Sequence, residues 1–515
     1  MRKFLLPLAC LSIAAPAGAA WREARSAHFI VYSEDKPEAV KEFATELERY
    51  DAAMRVLRGL PQTTDSPSNR LTVFQLSNIA AVQKLLGAGS RYIAGFYDGR
   101  AGNSIAFVPR RAGSGESWSM DAQTVLLHEY AHHFMFRNYP AAFPVWFSEG
   151  FAEFNSTARF GKDGSVDLGL PALHRAGSLF FLGQLPAATL MQADTRKLSP
   201  DAEDVLYGRG WLLTHFLYFS KERSGQLGQY LKAINEGKSS MDAAQAAFGD
   251  LAKLDHEIDR YKMGKMSYIR VGADKIKFAP VEVRELSAGA TAIMPVMMRS
   301  RRGVDQQSAK QVVADARAAA APYPDDPFVQ LSLAEAEIDA GNLDACDKAA
   351  DAVLAAEPNS VRALIFKGRV AVEKLRDTPK ATPEDWKQAR RWFVRANRTE
   401  PDAPSPLLHF YTSFAAEGVA PTPNAVTGLR AAAMLAPEDE GVRMILGHQL
   451  LVDGKGPEAR AVLTAEAYSP HGGPMADFAG KVISAIDRGG ASAGLKAWNA
   501  AGEEKKAETA ATASK

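Results

Sequence analysis

Cysteine is almost absent. Of 515 residues only Cys10 and Cys346 carry a thiol. Cys10 lies in the opening apolar stretch, so the rest of the chain can form no intramolecular disulfide and supports no thiolate metal or nucleophile site. An excess of either charge is missing too: 61 Lys and Arg face 60 Asp and Glu, for a formal net charge of +1. With no global field to gather nucleic acid or anionic membrane, neither is an expected partner. The apolar run at the start, Phe4 to Ala15, is too short to span a bilayer as a permanent anchor. Histidine is scarce at ten residues, so clustered histidines carry information.

The opening run has a role of its own. Arg2 and Lys3 precede it and Ala17-Gly18-Ala19 follows it, the layout of a cleavable export signal. Residues 1–20 are therefore expected to be removed, leaving a periplasmic or secreted protein without an integral membrane segment. A composition of 46% hydrophobic and 23% charged residues suits a globular chain of two or three domains.

Residues 21–262 read as α+β. Ala27 to Ser33 and Arg70 to Leu76 have strand patterns, while Lys36 to Leu60 and Ile79 to Leu86 have helical spacing. Gly95 to Pro109 predicts a hairpin turning through Asp98 to Asn103, followed by a loop from Ala112 to Ser119. Helices are then expected to cross one face of the sheet, and Ala202 to Phe219 and the segments up to Tyr261 suggest a helical second lobe. Residues 263–305 read as a connector with strand-like patches at Tyr268 to Val271 and Val281 to Val283, and no helix before Ser308.

The chemistry sits in His128-Glu129-Tyr130-Ala131-His132. On a helix, His128 and His132 project from one face and can hold one zinc ion. Glu129 stands one residue round, where it can take a proton from an attacking water. Val125, Leu126, Phe134 and Met135 make the helix apolar and buried, and buried ionisable groups need partners such as a metal. Catalytic zinc needs a third protein ligand. Glu149 and Glu153, four residues apart on the next helix, are both candidates, and register alone leaves the choice open. His133, turned about 100° from His132, reads as a core or supporting histidine, and Trp146 and Phe147 read as core.

From about residue 306 the chain is Ala-rich and helical. Pro324, Pro358, Pro401 and Pro437 recur at intervals of 34, 43 and 36 residues, with an insertion expected around Asp377 to Glu384. A period of about 34 residues with two helices per unit resembles the tetratricopeptide repeat. Cys346 falls among its small packing positions and reads as a core residue. Residues 491–515 read as a disordered tail.

His128-Glu-Tyr-Ala-His132 followed by Ser-Glu149-Gly-Phe-Ala-Glu is similar to the gluzincin metallopeptidases, above all the aminopeptidase N family, where H-E-x-x-H is followed by N-E-G-F-A. The resemblance implies one Zn2+ per chain on His128, His132 and Glu149, with Glu149 favoured over Glu153. It implies Glu129 as general base and Tyr207, in Tyr207-Gly208-Arg209-Gly210, as donor to the oxyanion. The family's G-x-M-E-N strand, whose Glu grips the substrate amine, has no counterpart in Gly95 to Pro109. The closer likeness, over Trp21 to Tyr261, is to the smaller peptidase MA-like proteins, which share the W-x-x-x-x-S-x-H-F start (Trp21, Ser26, His28, Phe29) and often precede tetratricopeptide repeats. By that analogy Ser104 to Val108 would be the edge strand that pairs with substrate. The expected protein is a thermolysin- or gluzincin-like peptidase domain (21–262), a connector (263–305) and tetratricopeptide-like repeats (306–490). Its expected activity is zinc-dependent hydrolysis of a protein or peptide substrate, with a protein partner or substrate on the repeats. The alternative is a non-enzymatic periplasmic repeat scaffold whose peptidase-derived domain keeps zinc for stability.

Overall fold

A computed structural model of the chain describes residues 20–87, 95–110, 122–194, 197–469 and 472–513, with side chains through Gly502. The expected export signal and the loop at 112–119 lie outside the described residues, apart from Ala20. The first lobe runs β1 (Arg22–Arg25), β2 (Phe29–Ser33), α1 (Pro37–Arg58), β3 (Leu71–Leu76), α2 (Ile79–Leu86), β4 (Phe96–Asp98) and β5 (Ile105–Pro109). It continues with α3 (Ala122–Asn138), α4 (Val145–Ser156), β6 (Arg159–Phe160), β7 (Val166–Leu168), α5 (Ala176–Phe181), α6 (Ala187–Leu190) and α7 (Pro200–Phe219). Then come α8 (Gln226–Asn235), α9 (Ser240–Phe248), α10 (Leu251–Lys262), β8 (Ile269–Val271) and β9 (Glu282–Glu285).

The main sheet is mixed, in the order β4-β5-β3-β2-β1-β9; β2, β3 and β5 run parallel and the outer pairs antiparallel. A smaller sheet pairs β6, β7 and β8. Successive strand residues point to opposite faces, and both faces are covered. Phe29, Val31, Val73 and Val108 join the core of α1 and α3, while Ile30, Tyr32, Phe74 and Phe107 join a second core. Helices on one face only were expected. The continuous apolar character of Phe29 to Tyr32 and Val73 to Phe74 fits parallel strands buried on two sides.

Two further expectations are corrected. Ser104 to Val108 is not the edge: β5 lies between β3 and β4, and β4 is the outer strand. The expected hairpin over Gly95 to Pro109 is present as β4 and β5, but a hairpin pattern does not say which of its strands pairs with the rest of the sheet. The stretch before Ser308 is not free of helix: α11 spans Ala288–Arg302, capped by Ser287. Ala290, Met294 and Met297 cover the second face of the sheet while Ile293 and Val296 face the helical array. A helix buried on two sides shows no amphipathic period, and Pro295 inside it weakens the signal further.

The array continues with α12 (Gln306–Ala320), α13 (Pro327–Asp339), α14 (Leu343–Ala356), α15 (Val361–Arg376), α16 (Pro383–Thr399), α17 (Pro404–Glu417), α18 (Pro423–Leu435), α19 (Glu440–Val452), α20 (Gly456–Ala467) and α21 (Pro474–Ala513), which kinks at Gly489 and Gly490. Each helix packs on its neighbours in sequence, and α13, α15 and α17 also stack on one another, the nearest-neighbour pattern of a helical repeat. The long middle interval is filled by the lengths of α15 and α16 and the linker 377–382. Small residues set the close contacts: Gly368 lies under the Phe393 ring and Gly447 under Leu463. Cys346 is buried among Ala334, Ala349 and Phe366, and burial pushes its thiol up to about 12, as a core residue requires. Packing continues past 490, because Leu495 and Trp498, expected in a disordered tail, sit against the last core.

The array returns to the first lobe. Glu400 accepts from Ser68 N and Oγ (2.8 and 3.0 Å), Ser405 Oγ donates to Ala101 O (2.6 Å), and Asp439 accepts from Ala101 N (2.5 Å). The β4–β5 turn is thus clasped by helices more than 300 residues away in the chain.

Candidate metal centre

The helix that bears the motif is fixed in roll before its histidines meet anything. Val125, Leu126, Ala131, Phe134 and Met135 are buried around α3. Tyr50 Oη donates to Leu127 O (3.1 Å), and Tyr130 Oη donates to Asp51 (2.7 Å). Asp51 in turn holds Arg55 at 2.6 Å, and His28 sits between Glu48 (2.9 Å) and Asp51 (3.6 Å). Burial works against a charged His28, but Asp51 and Glu48 outweigh it and raise its pKa. The His28-Phe29 pair of the opening motif is therefore a strut between β2, α1 and α3. His133 Nδ1 meets Tyr97 Oη at 2.8 Å, and burial, helped by Arg137, keeps this imidazole neutral. With Tyr130 and His133 anchored on one side, His128 and His132 face α4.

There the predicted ligands converge. His128 Nε2 and His132 Nε2 lie 3.2 Å apart, and Glu149 Oε2 is 3.3 Å from the first and 3.4 Å from the second. All three side chains are buried, and neither carboxylate oxygen of Glu149 has a hydrogen-bond partner. A buried carboxylate without donors is costly to keep. Here burial would raise its pKa, but the two imidazoles hold it well below the usual range. Two imidazole nitrogens and a carboxylate oxygen on one point could hold a divalent metal ion such as zinc. His128, His132 and Glu149 also form the one such cluster among the described residues.

Glu153 is resolved by the same geometry. One turn beyond Glu149, it approaches the other nitrogen of His128, with Oε1 3.4 Å from Nδ1. It is itself held by His174 Nε2 (2.7 Å) and by the Arg175 guanidinium (2.6 Å). Arg175 also pairs with Asp204 on α7 and lies over the Tyr207 ring, 4.8 Å from its centroid. Burial opposes ionisation of Glu153, and Arg175 with the two histidines keeps it ionised. Burial also pushes His128 down, but Glu149 and Glu153 outweigh it and lift the imidazole to about 10. A carboxylate behind a ligating imidazole fixes the tautomer and ring angle. Glu153→Gln should therefore leave the fold intact and weaken zinc affinity by about 10- to 100-fold, read by competition with a chromogenic chelator; unchanged affinity would show that the contact is incidental.

Tyr207, on α7, stands beside His128: its ring centroid is 6.0 Å from that of the imidazole. The nearby Glu149 carboxylate, and then burial, raise its pKa well above the ordinary value, so it stays a donor. The ring is brought there by a close crossing of α4 and α7 in which Gly150 faces Gly210. Glu129 is half-buried and lines, with His132 and Phe136, a cleft of ≈ 500 Å³. Trp146 is core, its Nε1 donating to Tyr230 Oη (3.0 Å). Sequence reading missed His174, Arg175 and Asp204, which no motif marks, whereas Glu153 could have been paired with His128 from the four-residue spacing on both helices.

Compared with protein-family models and with curated proteins, the chain matches none. Among solved structures, a thermophilic TPR protein of Thermus thermophilus is similar over 38% of this chain and 97% of that one, at 17% identity and a TM-score of 0.32. The helical array is defined here by its own stacked helices. No described helix is long and apolar enough to cross a membrane.

Proposed function

We propose that this chain is an exported, gluzincin-like zinc peptidase that cleaves peptide bonds of a protein or peptide substrate and uses its tetratricopeptide-like array to engage that substrate or a protein partner. The observation that carries the reading is the meeting of His128 Nε2, His132 Nε2 and the buried Glu149 carboxylate within 3.4 Å. Bound zinc would supply a Lewis acid that polarises the scissile carbonyl and makes water nucleophilic near neutral pH.

The protein's own groups cover the remaining steps. Glu129, facing the cleft beside His132, takes the proton of the attacking water and returns it to the leaving amine. Tyr207, kept protonated by its acidic neighbour, donates to the oxygen on which charge develops. Glu153 orients His128, and Arg175 keeps Glu153 ionised while packing on the Tyr207 ring. The outer edge strand β4, rather than β5, is the strand on which an extended substrate would pair.

Elemental analysis of the purified chain should find about one zinc per molecule, lost with chelator together with peptide hydrolysis and restored with zinc. Protein that takes up no zinc at neutral pH would overturn the reading. Zinc-loaded protein that cleaves no member of a broad peptide library would favour the scaffold alternative.

A further inference from the structure

Part of the wall of the cleft comes from the helical array, and its chemistry points to the substrate. Glu438, Asp439 and Glu440, around the start of α19, line it together with Glu129 and His132. The basic residues there are already engaged, Arg100 by Asp98 and Arg443 by Glu466. Asp439 is engaged as well, capping α19 through Val442 N (2.8 Å) and accepting from Ala101 N.

Glu438 is different. Its side chain is only 3% exposed, yet only Oε1 has partners, at 3.4 Å from both Arg137 and Ser104 Oγ, while Oε2 has none. Arg137 is itself shared with Asp65 (2.9 Å), so two carboxylates draw on one guanidinium. Burial raises the pKa of Glu438 despite Arg137, the mark of a carboxylate short of positive charge. Glu440 is exposed beside it and meets only Ser469 Oγ at 3.4 Å.

We infer that Glu438 and Glu440 form an anionic subsite, supplied by the array, which selects peptides carrying an ammonium or guanidinium group near the scissile bond. This rests on the peptidase reading for the bond that is cleaved but not for the binding. Glu438 and Glu440 line the same cleft as Glu129 and His132, which would place the cation near the cleaved bond. The same charge could come from a Lys or Arg side chain or from the substrate's own N-terminus.

The test uses the full-length zinc-loaded Glu129→Gln protein and fluorescent heptapeptides that contain one Lys or norleucine in its place, each with a free or acetylated N-terminus. Anisotropy should show at least one cationic form binding about tenfold tighter than the acetylated norleucine peptide, with the margin shrinking as salt rises. Acetylated Lys peptides and free-amine norleucine peptides tell the two sources apart. Glu438→Gln, and independently the exposed Glu440→Gln, should each cut the preference to about threefold or less without changing zinc content or the affinity of the neutral peptide. Equal binding of all four peptides, no binding at all, or a preference that survives both substitutions would overturn the inference. A cationic preference in binding, with no hydrolysis by the unsubstituted chain, would instead defeat the peptidase reading and leave the subsite standing.

Discussion

Glu129→Gln should leave one zinc per chain and an unchanged thermal midpoint while lowering kcat for peptide hydrolysis by about 10²- to 10⁴-fold. The substitution keeps the size of the side chain and its place on α3, and removes only the ability to hold and return a proton. Glu129 does not touch the converging nitrogens and carboxylate of His128, His132 and Glu149, so the metal residues have no reason to move. It is half-buried and lines the cleft. Steady-state kinetics with zinc content measured on the same sample separates this from loss of metal. A rate within about tenfold of the parent chain would mean that another group carries the proton.

How much of this was legible in the sequence depends on what each segment packs against. His128 and His132 could be placed on one helical face from spacing alone, because a four-residue step is geometry that tertiary packing does not alter. Glu149 and Glu153 share a face by the same rule. The fully buried α4 has no solvated side to set its register, so residue pattern could not say which carboxylate meets the nitrogens. The difference lies in partners: Glu149 meets only the two imidazoles, while Glu153 also has Arg175 and His174, which arrive from a short turn without periodicity.

The helical array was readable because prolines mark helix ends. Pro358, Pro401 and Pro437 each follow directly on the residue that caps a helix, Glu357, Glu400 and Ala436. The helix α11 was not readable because it is buried between the sheet and the array, and no sequence pattern foretold that Glu438 and Asp439 would come back to the β4–β5 turn. That return depends on the curvature of the packed helices from α12 onward, a property of their sum.

The largest effect on the fold is expected from two glycines that the motifs carry without displaying a reason. A Cβ on Gly150 would stand 2.3 Å from Thr214 Oγ1 and 2.4 Å from Gly210 O, and a Cβ on Gly210 would stand 2.5 Å from Trp146 O. Most of these obstacles are backbone, which can yield only if α4 and α7 move apart. Alanine in a helix interior would ordinarily gain about 1 kcal/mol over glycine, but forcing a packed crossing open costs about 1–3 kcal/mol or more. Gly150→Ala and Gly210→Ala should therefore each lower the thermal midpoint by several degrees, at about 2–4 °C per kcal/mol for a lobe of this size. Because the crossing lies one residue from Glu149 and three from Tyr207, hydrolysis should fall further than the stability loss explains. Gly228→Ala in α8, where an added Cβ meets nothing within 4 Å, is the control and should be neutral or slightly stabilising. If Gly210→Ala melts with the parent chain and keeps its activity, the crossing does not set the distance between Tyr207 and the metal residues, and the tyrosine's role as oxyanion donor loses its structural support.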